Sequence, residues 1–284
     1  MSNCNTCPSK GSCGKKEDTC GIINNPKNNI KYVIGVMSGK GGVGKSTVTV
    51  LLAKQLQKAG YRVGIMDADI TGPSIPRLLS MEREKAYGEE GNIEPVLDKD
   101  GIKVMSLNFL MEDEEQPVVW RGPIIANAVK QFWTDVNWGE LDVLLIDMPP
   151  GTGDVALTVM QSLPVNGVIM VTTPQPMVSM IVAKAVNMCK QLKTDIIGVV
   201  ENMSFIECPD CGNVIEMYQN SNTSKLMEEH GLSLLCKLPM TQSFAMIHKD
   251  DDFDMSVQEK IDALIEPAVH EVKKIIESKK AADR

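Results

Sequence analysis

A glycine-rich segment between two apolar segments constrains this chain more than any other feature. Gly39–Ser46 has the pattern G-x4-G-K-S; the β-branched run 30–37 precedes it and an apolar-periodic run, 45–59, follows it. The first run predicts a buried strand and the second predicts a helix. In that context the glycines let backbone N–H groups turn toward phosphate oxygens, and the helix N-terminus favours an anion. The segment therefore predicts a phosphate-binding loop of a nucleotide site.

The residues of this loop have separate expected roles. We expect Lys45 to reach the β- and γ-phosphates and the hydroxyl of Ser46 to bind Mg²⁺. The residues expected around the phosphates are Gly39, Lys40, Gly41, Gly42, Val43, Gly44, Lys45, Ser46 and Thr47.

Aspartates stand where two further predicted strands end. Asp67 and Asp69 follow one apolar run, and Asp147 follows another. Because open α/β sheets bind ligands at the carboxyl ends of their strands, these side chains are candidates for the same site. We predict that Asp147 holds Mg²⁺, that Asp69 orients the attacking water, and that Asp67 lies nearby as a metal-side carboxylate. The Pro-Pro-Gly-Thr-Gly segment at 149–153 is a candidate switch loop that responds to the γ-phosphate.

Strand and helix patterns alternate through residues 30–284, which we expect to form one P-loop domain. Strands are predicted near 30–37, 61–66, 93–97, 102–107, 142–147, 166–172, 195–201 and 233–237, and helices near 45–59, 123–135, 155–162, 177–192, 223–230 and 256–279. This alternation predicts an α/β fold with a doubly wound, mostly parallel sheet. Residues 1–29 are expected to form a flexible, cysteine-rich arm, and the segment near 203–219 is expected to be an attachment to the domain.

The composition argues against two classes of partner. The chain has 29 basic and 37 acidic residues, so its net charge of −8 lacks the basic footprint that dominates nucleic-acid affinity. No apolar run approaches the ~18 residues of a membrane span, and the first residues lack the apolar core of a signal peptide. We therefore expect a cytoplasmic protein with no nucleic-acid partner and no membrane span.

The cysteines of this chain are clustered. The eight residues are Cys4, Cys7, Cys13 and Cys20 near the start, the CxxC pair Cys208 and Cys211, and the isolated Cys189 and Cys236 in apolar segments. In a reducing compartment, clustered cysteines indicate metal binding or redox chemistry. Cys189 and Cys236, which stand alone in the sequence, are predicted to lie in the core. One CxxC supplies only half of a tetrahedral site. Three interpretations remain: half of a zinc ribbon, a thiol–disulfide pair, or half of a site completed by a second subunit.

Lys40 adds a second lysine to the loop. The resulting K-G-G-V-G-K-S resembles the deviant Walker A motif of the ATPase class that contains the nitrogenase iron protein and the Min/Par partitioning ATPases. The resemblance implies a homodimer in which Lys40 reaches the partner's nucleotide and neutralises charge during hydrolysis, as an arginine finger does. It also implies ATP as the nucleotide, with Asn202 and Pro239 at positions that contact adenine.

A homodimer favours the third interpretation of the CxxC pair. Two pairs of Cys208 and Cys211 that meet at a twofold axis supply four thiolates, the number that a [4Fe–4S] cluster needs. The thiol–disulfide interpretation is the weakest, because that motif normally opens a helix.

Several motifs together carry a more specific resemblance. They are D-A-D-I-T-G-P-S-I-P (67–76), D-M-P-P-G-T-G-D (147–154), T-T-P-Q (172–175) and E-N-M-S…C-P-D-C-G (201–212). With the loop they resemble the Mrp/ApbC family of cytosolic P-loop ATPases, which carry or scaffold iron–sulfur clusters. The resemblance covers roughly residues 30–250. It implies slow ATP hydrolysis, a homodimer that bridges a labile [4Fe–4S] cluster through Cys208 and Cys211, and transfer of the cluster to recipient apoproteins.

The amino-terminal arm points to one branch of that family. Cys4, Cys7 and Cys13 resemble the last three cysteines of the cluster motif in the eukaryotic cytosolic scaffold branch, and Cys20 is placed to substitute for the upstream fourth. This resemblance implies a second [4Fe–4S] site in the arm, with zinc or no metal as alternatives.

Two other functions compete with cluster transfer. One is a Min/Par-type partitioning or positioning ATPase with incidental or zinc-binding cysteines, a function that has no use for Cys208 and Cys211. The other is an electron-transfer ATPase like the nitrogenase iron protein. Its cluster cysteines lie in other segments and not as a CxxC, so the spacing argues against it.

Overall fold

Parallel strands form the centre of the molecule. The computed structural model describes residues 24–89, 92–112, 120, 122–175, 178–208, 210–218, 223–241 and 255–282. The strands are β1 (Asn29–Ile30), β2 (Val33–Ser38), β3 (Val63–Asp67), β4 (Gly88–Glu89), β5 (Asn92–Ile93), β6 (Val96–Leu97), β7 (Lys103–Met105), β8 (Glu140–Leu141), β9 (Val143–Asp147), β10 (Gly167–Thr172), β11 (Ile196–Glu207), β12 (Val214–Ile215) and β13 (Leu234–Pro239). The helices are α1 (Lys45–Lys58), α2 (Ile75–Leu78), α3 (Gly122–Thr134), α4 (Asp154–Ser162), α5 (Val178–Gln191), α6 (Thr223–His230) and α7 (Met255–Ala282).

Nine of the described strands form one large sheet with the order β12-β11-β10-β2-β9-β3-β7-β6, in which β13 pairs with β11. Two small sheets lie beside it in the described part of the chain, β1 with β8 and β4 with β5. All pairings of the large sheet are parallel except β11 with β12 and β6 with β7. Because the strands of the parallel part share a direction, their carboxyl ends meet at one edge. The predicted doubly wound α/β fold is confirmed.

Side-chain alternation along the strands builds a core on each face of the sheet. In β2, Ile34 and Val36 face the core shared with α1 and α7, whereas Val33 and Met37 face the core shared with α3, α4 and α5. Such strands are buried on both sides, which explains their continuous apolar sequence. None of the helices in the described part of the chain combines the length and apolar character that a membrane span requires.

The predicted helices lie where the apolar periodicity placed them, whereas the short helix α2 and the short strands β4, β8 and β12 were not predicted. Three predicted strands differ from those observed. The predicted strand 93–97 is divided into β5, which pairs with β4, and β6, which pairs with β7. The predicted strand 30–37 is divided, because Asn29 and Ile30 pair with the short strand β8 before β2 enters the main sheet. The predicted strand 195–201 continues to Glu207 as β11. The segment that follows it therefore begins as an extension of the sheet.

One carboxylate ties the amino-terminal ends of three central strands together. Asp142 Oδ2 accepts hydrogen bonds from the backbone N–H (2.9 Å) and Nε (3.2 Å) of Arg62, and its Oδ1 accepts one from Lys31 Nζ (2.6 Å). Burial alone would raise the pKa of Asp142, but the hydrogen bonds from Arg62 and Lys31 outweigh it and hold that pKa well below its usual range. This carboxylate therefore stabilises the fold in its charged form.

Replacing Asp142 with asparagine tests this contribution. Because Lys31 and Arg62 are partly exposed, we expect Asp142→Asn to lower the free energy of unfolding by only about 2 kcal/mol at neutral pH. A carboxylate whose pKa is lower in the folded than in the unfolded state stabilises the fold at pH values above the unfolded pKa of about 4. That stabilisation is lost progressively as the pH falls below about 4. The difference between the variant and the wild type, measured by urea unfolding, should therefore shrink at about pH 3.

Glu140→Gln is the matched control, because its carboxylate lies 3.6 Å from Arg62 Nη1 but is 56% exposed. We expect it to cost less than about 1 kcal/mol, as exposed ion pairs do. Equal losses for the two variants would contradict the role given to Asp142.

Candidate functional site

The glycine-rich loop lies at the carboxyl edge of the sheet, between β2 and α1. Gly42 and Gly44 have φ values of 77° and 79°, the left-handed region that side chains disfavour. Gly44 is the N-cap of α1, and its carbonyl accepts the hydrogen bond from the backbone N–H of Val48 (3.0 Å). The loop thus leads directly into the N-terminus of α1, where the first N–H groups of a helix have no partner within the helix and favour an anion.

A cavity of about 380 Å³ opens in front of this loop. Its lining residues are Ser38, Gly41, Gly42, Gly44, Lys45, Ser46, Thr47, Asp69, Gly72, Ser74, Arg77, Leu78 and Pro150. A Cβ atom placed on Gly42 would meet no atom within 4 Å, and one placed on Gly41 would meet only Pro150. The loop therefore leaves open space of the kind that a phosphate chain occupies.

A buried ion pair occupies the floor of the cavity. Lys45 Nζ lies 2.7 Å from Asp147 Oδ1, and Asp147 is fully buried. Asp147 also accepts hydrogen bonds from Ser46 Oγ (2.5 Å) and Thr49 Oγ1 (3.2 Å). The lysine and the hydroxyl predicted to hold phosphate and metal are thus both held by the predicted metal-binding aspartate.

The other two aspartates lie at different depths. Asp69 lines the cavity, and its Oδ2 is 3.7 Å from Lys45 Nζ. Asp67 lies behind it and accepts hydrogen bonds from Ser106 Oγ (3.1 Å) and from the backbone N–H of Asp69 (3.2 Å). Burial raises the pKa of both carboxyls, and the charge of Lys45 opposes that shift. Three carboxyl groups therefore lie around one ammonium, a set of oxygen donors that suits a cation, whose charge would lower the raised pKa values again.

Lys40 does not line the cavity. Its Nζ donates a hydrogen bond to Oε1 of Gln175, in the T-T-P-Q segment after β10. The backbone of Lys40 is fixed separately, because its carbonyl accepts a hydrogen bond from Ser38 Oγ (2.9 Å). The predicted trans-acting lysine is therefore held within its own chain.

Asn202 packs on the back of the loop. Its Nδ2 donates to the carbonyl of Val43 (2.9 Å) and lies 2.2 Å from the position of a Cβ on Gly44. Its Oδ1 is buried and has no hydrogen-bond partner. Pro239, the second predicted base contact, ends β13 beside Phe205. Neither Asn202 nor Pro239 lines the cavity.

The CxxC segment forms the tip of a β-hairpin. Ile206 and Glu207 of β11 pair antiparallel with Ile215 and Val214 of β12, and the cysteines lie in the turn between them. The backbone N–H of Cys208 donates to the carbonyl of Asn213 (2.9 Å). Cys208 is half-buried and Cys211 is exposed.

The turn favours a thiolate at Cys208. The backbone N–H groups of Cys211 and Asp210, followed by the side chain of Cys211, lower the pKa of the Cys208 thiol. Since the thiolate is the form that binds metal, this turn is suited to a metal site. Exposed apolar side chains stand near it in the hairpin and after β13, with exposed fractions of 61% for Val214, 51% for Ile215, 51% for Met217 and 52% for Met240.

The remaining cysteines divide as their sequence context suggests. Cys189 and Cys236 are buried, and burial raises their thiol pKa values to about 11 and about 12. Both are core thiols, as predicted. Cys4, Cys7, Cys13 and Cys20 lie outside the described residues.

Comparison with known proteins identifies the group to which these features belong. The model of the NUBPL iron-transfer P-loop NTPases, in the ParA group, matches residues 29–277. The chain belongs to this family. The match confirms the family membership that the motifs predicted by their resemblance to the Mrp/ApbC family.

Named relatives of this iron-transfer NTPase agree with the match. An iron–sulfur cluster carrier protein of Clostridium perfringens is 46% identical over 254 residues, 84% of this chain and 89% of the relative. The cytosolic Fe–S cluster assembly factor CFD1 of Kluyveromyces lactis is 41% identical over 80% of this chain and 83% of its own.

Solved structures give the same fold. A nucleotide-binding protein in complex with ADP, from Archaeoglobus fulgidus, matches with a TM-score of 0.68 and 44% identity over 77% of this chain and 86% of that chain. The cell division protein MinD of Aquifex aeolicus matches with a TM-score of 0.59 at 18% identity over 85% of this chain and 96% of its own. The MinD similarity is a similarity of fold alone, so it does not favour a positioning function for this iron-transfer NTPase.

Three residues of the site lie outside the motifs read from the sequence. Thr49 and Ser106 hydrogen-bond the aspartates, and Arg77 lines the cavity. Thr49 lies four residues after Lys45 on α1, so its spacing was a usable signal, whereas only the folded chain brings Ser106 and Arg77 to the site. Gln175 belongs to the T-T-P-Q motif, but its hydrogen bond with Lys40 was not predicted.

Two glycine substitutions test the close approach of Asn202 to the loop. Gly42→Ala adds only backbone strain, so we expect a loss of about 1 kcal/mol in the free energy of unfolding. Gly44→Ala adds the same strain and also displaces Asn202 from the Val43 carbonyl, for a total loss of about 3 kcal/mol. Urea unfolding of the nucleotide-free protein measures both. Equal losses would contradict the observed packing.

Proposed function

We propose that the protein is an ATP-hydrolysing carrier or scaffold of iron–sulfur clusters. It assembles a [4Fe–4S] cluster on Cys208 and Cys211 and passes the cluster to recipient apoproteins. The observation that carries this proposal is the hairpin itself. An accessible pair of thiols, with the pKa of Cys208 lowered by backbone N–H groups, extends from the same sheet as a phosphate loop in a chain of the iron-transfer family.

Two copies of the chain would complete the cluster site. One hairpin offers two thiolates, and a [4Fe–4S] cluster takes four. A homodimer with the two hairpins at its twofold axis supplies them without further ligands. The exposed Val214, Ile215 and Met217 would then become buried around the cluster, which excludes water from it.

The nucleotide site would work by exchange of partners at Lys45. In the free chain Asp147 holds both Lys45 and Ser46. On binding of ATP, Lys45 moves to the phosphates, with the loop residues Gly39–Thr47 around them. Ser46, Asp69 and Asp147, with Asp67 behind them, fit Mg²⁺ because they offer only oxygen donors. Mg²⁺ would neutralise charge on the phosphates.

Hydrolysis needs two further groups. Asp69 lies at the cavity wall, where its carboxylate can orient the attacking water. Lys40 would leave Gln175 and reach across the dimer to the partner's nucleotide, where it stabilises the charge of the transition state. The need to assemble this site from two chains is consistent with slow turnover.

The base would be adenine. This choice follows the family resemblance, which places Asn202 and Pro239 at positions that contact the base. In the free chain neither side chain lines the cavity, so both would have to become accessible to the ring. The Oδ1 of Asn202, which has no hydrogen-bond partner, would then be able to accept a hydrogen bond from the exocyclic amine of adenine.

The remaining proposals concern the arm and the compartment. Cys4, Cys7, Cys13 and Cys20 would hold a second cluster, with zinc or no metal as alternatives. The protein would act in the cytoplasm on apo iron–sulfur proteins, and the name of the Kluyveromyces lactis relative describes that protein as cytosolic. No nucleic acid would take part, in keeping with the net charge of −8.

Iron content tests the cluster site. We expect Cys208→Ala/Cys211→Ala, reconstituted anaerobically, to bind about two fewer iron atoms per chain than the wild type, half of a four-iron cluster shared by two chains. Cys236→Ala is the matched control, because Cys236 is buried and should leave the iron content unchanged. Iron and acid-labile sulfide are measured on the same samples. A double variant with wild-type iron would refute the bridging cluster.

Steady-state kinetics test the two lysines separately. Lys45→Ala should abolish ATP binding, since its ammonium is the buried cation of the cavity. Lys40→Ala should lower kcat by about tenfold or more while the affinity for ATP stays within about threefold. Gln175→Ala removes only the partner in the same chain and should not lower kcat. A Lys40→Ala variant that keeps wild-type kcat would exclude its catalytic role.

A further inference from the structure

One strand connects the nucleotide site with the cysteine hairpin. β11 contains Asn202, which contacts the phosphate loop, and it ends at Glu207, directly before Cys208. Five residues lie between Asn202 and Cys208, a span of about 20 Å in an extended chain. β11 therefore leads from a contact with the phosphate loop directly to the first cysteine of the hairpin.

β11 contains a bulge at the point where it meets the loop. Its pairing with β13 passes from Glu201–Lys237 directly to Phe205–Pro239, so three residues of β11 stand opposite one residue of β13. At the centre of the bulge Met203 has a φ of 53°, the left-handed region that a side chain other than glycine rarely adopts. A conformation of this kind persists only where the surroundings enforce it.

Hydrogen bonds on both sides of Met203 hold the bulge in place. On one side Asn202 Nδ2 donates to the carbonyl of Val43 (2.9 Å) and lies against Gly44. On the other side Ser204 Oγ donates to the carboxylate of Glu201 (2.6 Å), which is only 2% exposed. The phosphate loop and a buried carboxylate therefore hold the strained residue between them.

Hydrogen bonds hold the segment between the bulge and the cysteines along its length. The carbonyl of Phe205 accepts a hydrogen bond from the backbone N–H of Met240 (2.7 Å), and the next two residues form the hairpin ladder with β12. Lys260 of α7 donates to the carboxylate of Glu207 (3.0 Å). A shift of Asn202 would thus be passed along a hydrogen-bonded strand to Cys208.

We propose that the bulge Asn202–Ser204 is the positioning element through which nucleotide occupancy of the loop controls the order of the cysteine hairpin. This inference rests on the proposed function, because it takes a nucleotide at the loop and metal at the hairpin. A nucleotide that fixes Val43 and Gly44 also fixes Asn202, and the bulge then holds β11 and the hairpin in one geometry. The free chain already has this geometry, with Met203 in its strained conformation. Nucleotide at the loop would make it rarer for the loop, the bulge and the hairpin to open together.

Hydrogen exchange of the hairpin amides tests this link in full-length protein without metal. In the wild type, saturating Mg²⁺ and a non-hydrolysable ATP analogue should slow exchange at 205–215 by about fivefold or more. Met203→Gly permits the left-handed conformation without strain and frees the bulge to move. In this variant the nucleotide should change the exchange of 205–215 by less than about twofold.

Lys193→Gly is the matched control. Lys193 is also a non-glycine residue with a positive φ of 56°, but it lies in the turn after α5, and its replacement should leave the nucleotide effect unchanged. If Met203→Gly keeps the full effect, the hairpin is protected by dimerisation or by another route, and the proposal is wrong. A wild type without a nucleotide effect would overturn it as well.

Two measurements on the same preparations separate this proposal from the proposed function. Calorimetry establishes that the nucleotide binds, and anaerobic reconstitution establishes that the hairpin binds iron. If both succeed and the exchange effect is absent, only the link through the bulge fails. If the nucleotide does not bind, the proposed function fails and the link fails with it.

Discussion

The buried pair of Lys45 and Asp147 is the interaction on which the rest of the site depends. It joins the first residue of α1 to the last residue of β9 at 2.7 Å, and it holds the phosphate loop against the edge of the sheet. An unpaired charge at that depth would be costly, so the loop is kept in its binding shape while no phosphate is present. On the proposed account, the phosphates of ATP replace Asp147 as the partner of Lys45, and Mg²⁺ replaces Lys45 as the partner of Asp147, so neither charge is left unpaired.

The sequence predicts those features that depend on the repeat of apolar residues within a single strand or helix. The β-branched run 30–37 and the periodic apolar residues of 45–59 predicted the strand and the helix on either side of the loop, and the structure has β2 and α1 there. The spacing of Asp69 and Asp147 after apolar runs brought both to the carboxyl edge. These predictions succeed because each depends on residues close together in the chain and on the rule that parallel strands end at one edge.

Features that depend on distant segments were not readable. Nothing in E-N-M-S indicates that β11 continues to Glu207, because the bulge interrupts the alternation and Met203 is not a residue that marks a positive φ. The contact of Lys40 with Gln175 joins positions 135 residues apart. The long strand nevertheless changes the interpretation of the molecule, since the hairpin is an extension of the sheet that carries the nucleotide loop.

The dependence of nucleotide affinity on Mg²⁺ tests the exchange at Lys45 most directly. When Lys45 moves to the phosphates, Asp147 is left buried with only hydroxyl donors unless a cation joins it. Calorimetry with ADP should therefore show about tenfold weaker binding in EDTA than in Mg²⁺ for the wild type, and less than about threefold for Asp147→Asn. Asp154→Asn, an exposed residue at the start of α4, should behave as the wild type. An Asp147→Asn variant with the wild-type dependence on Mg²⁺ would contradict the account.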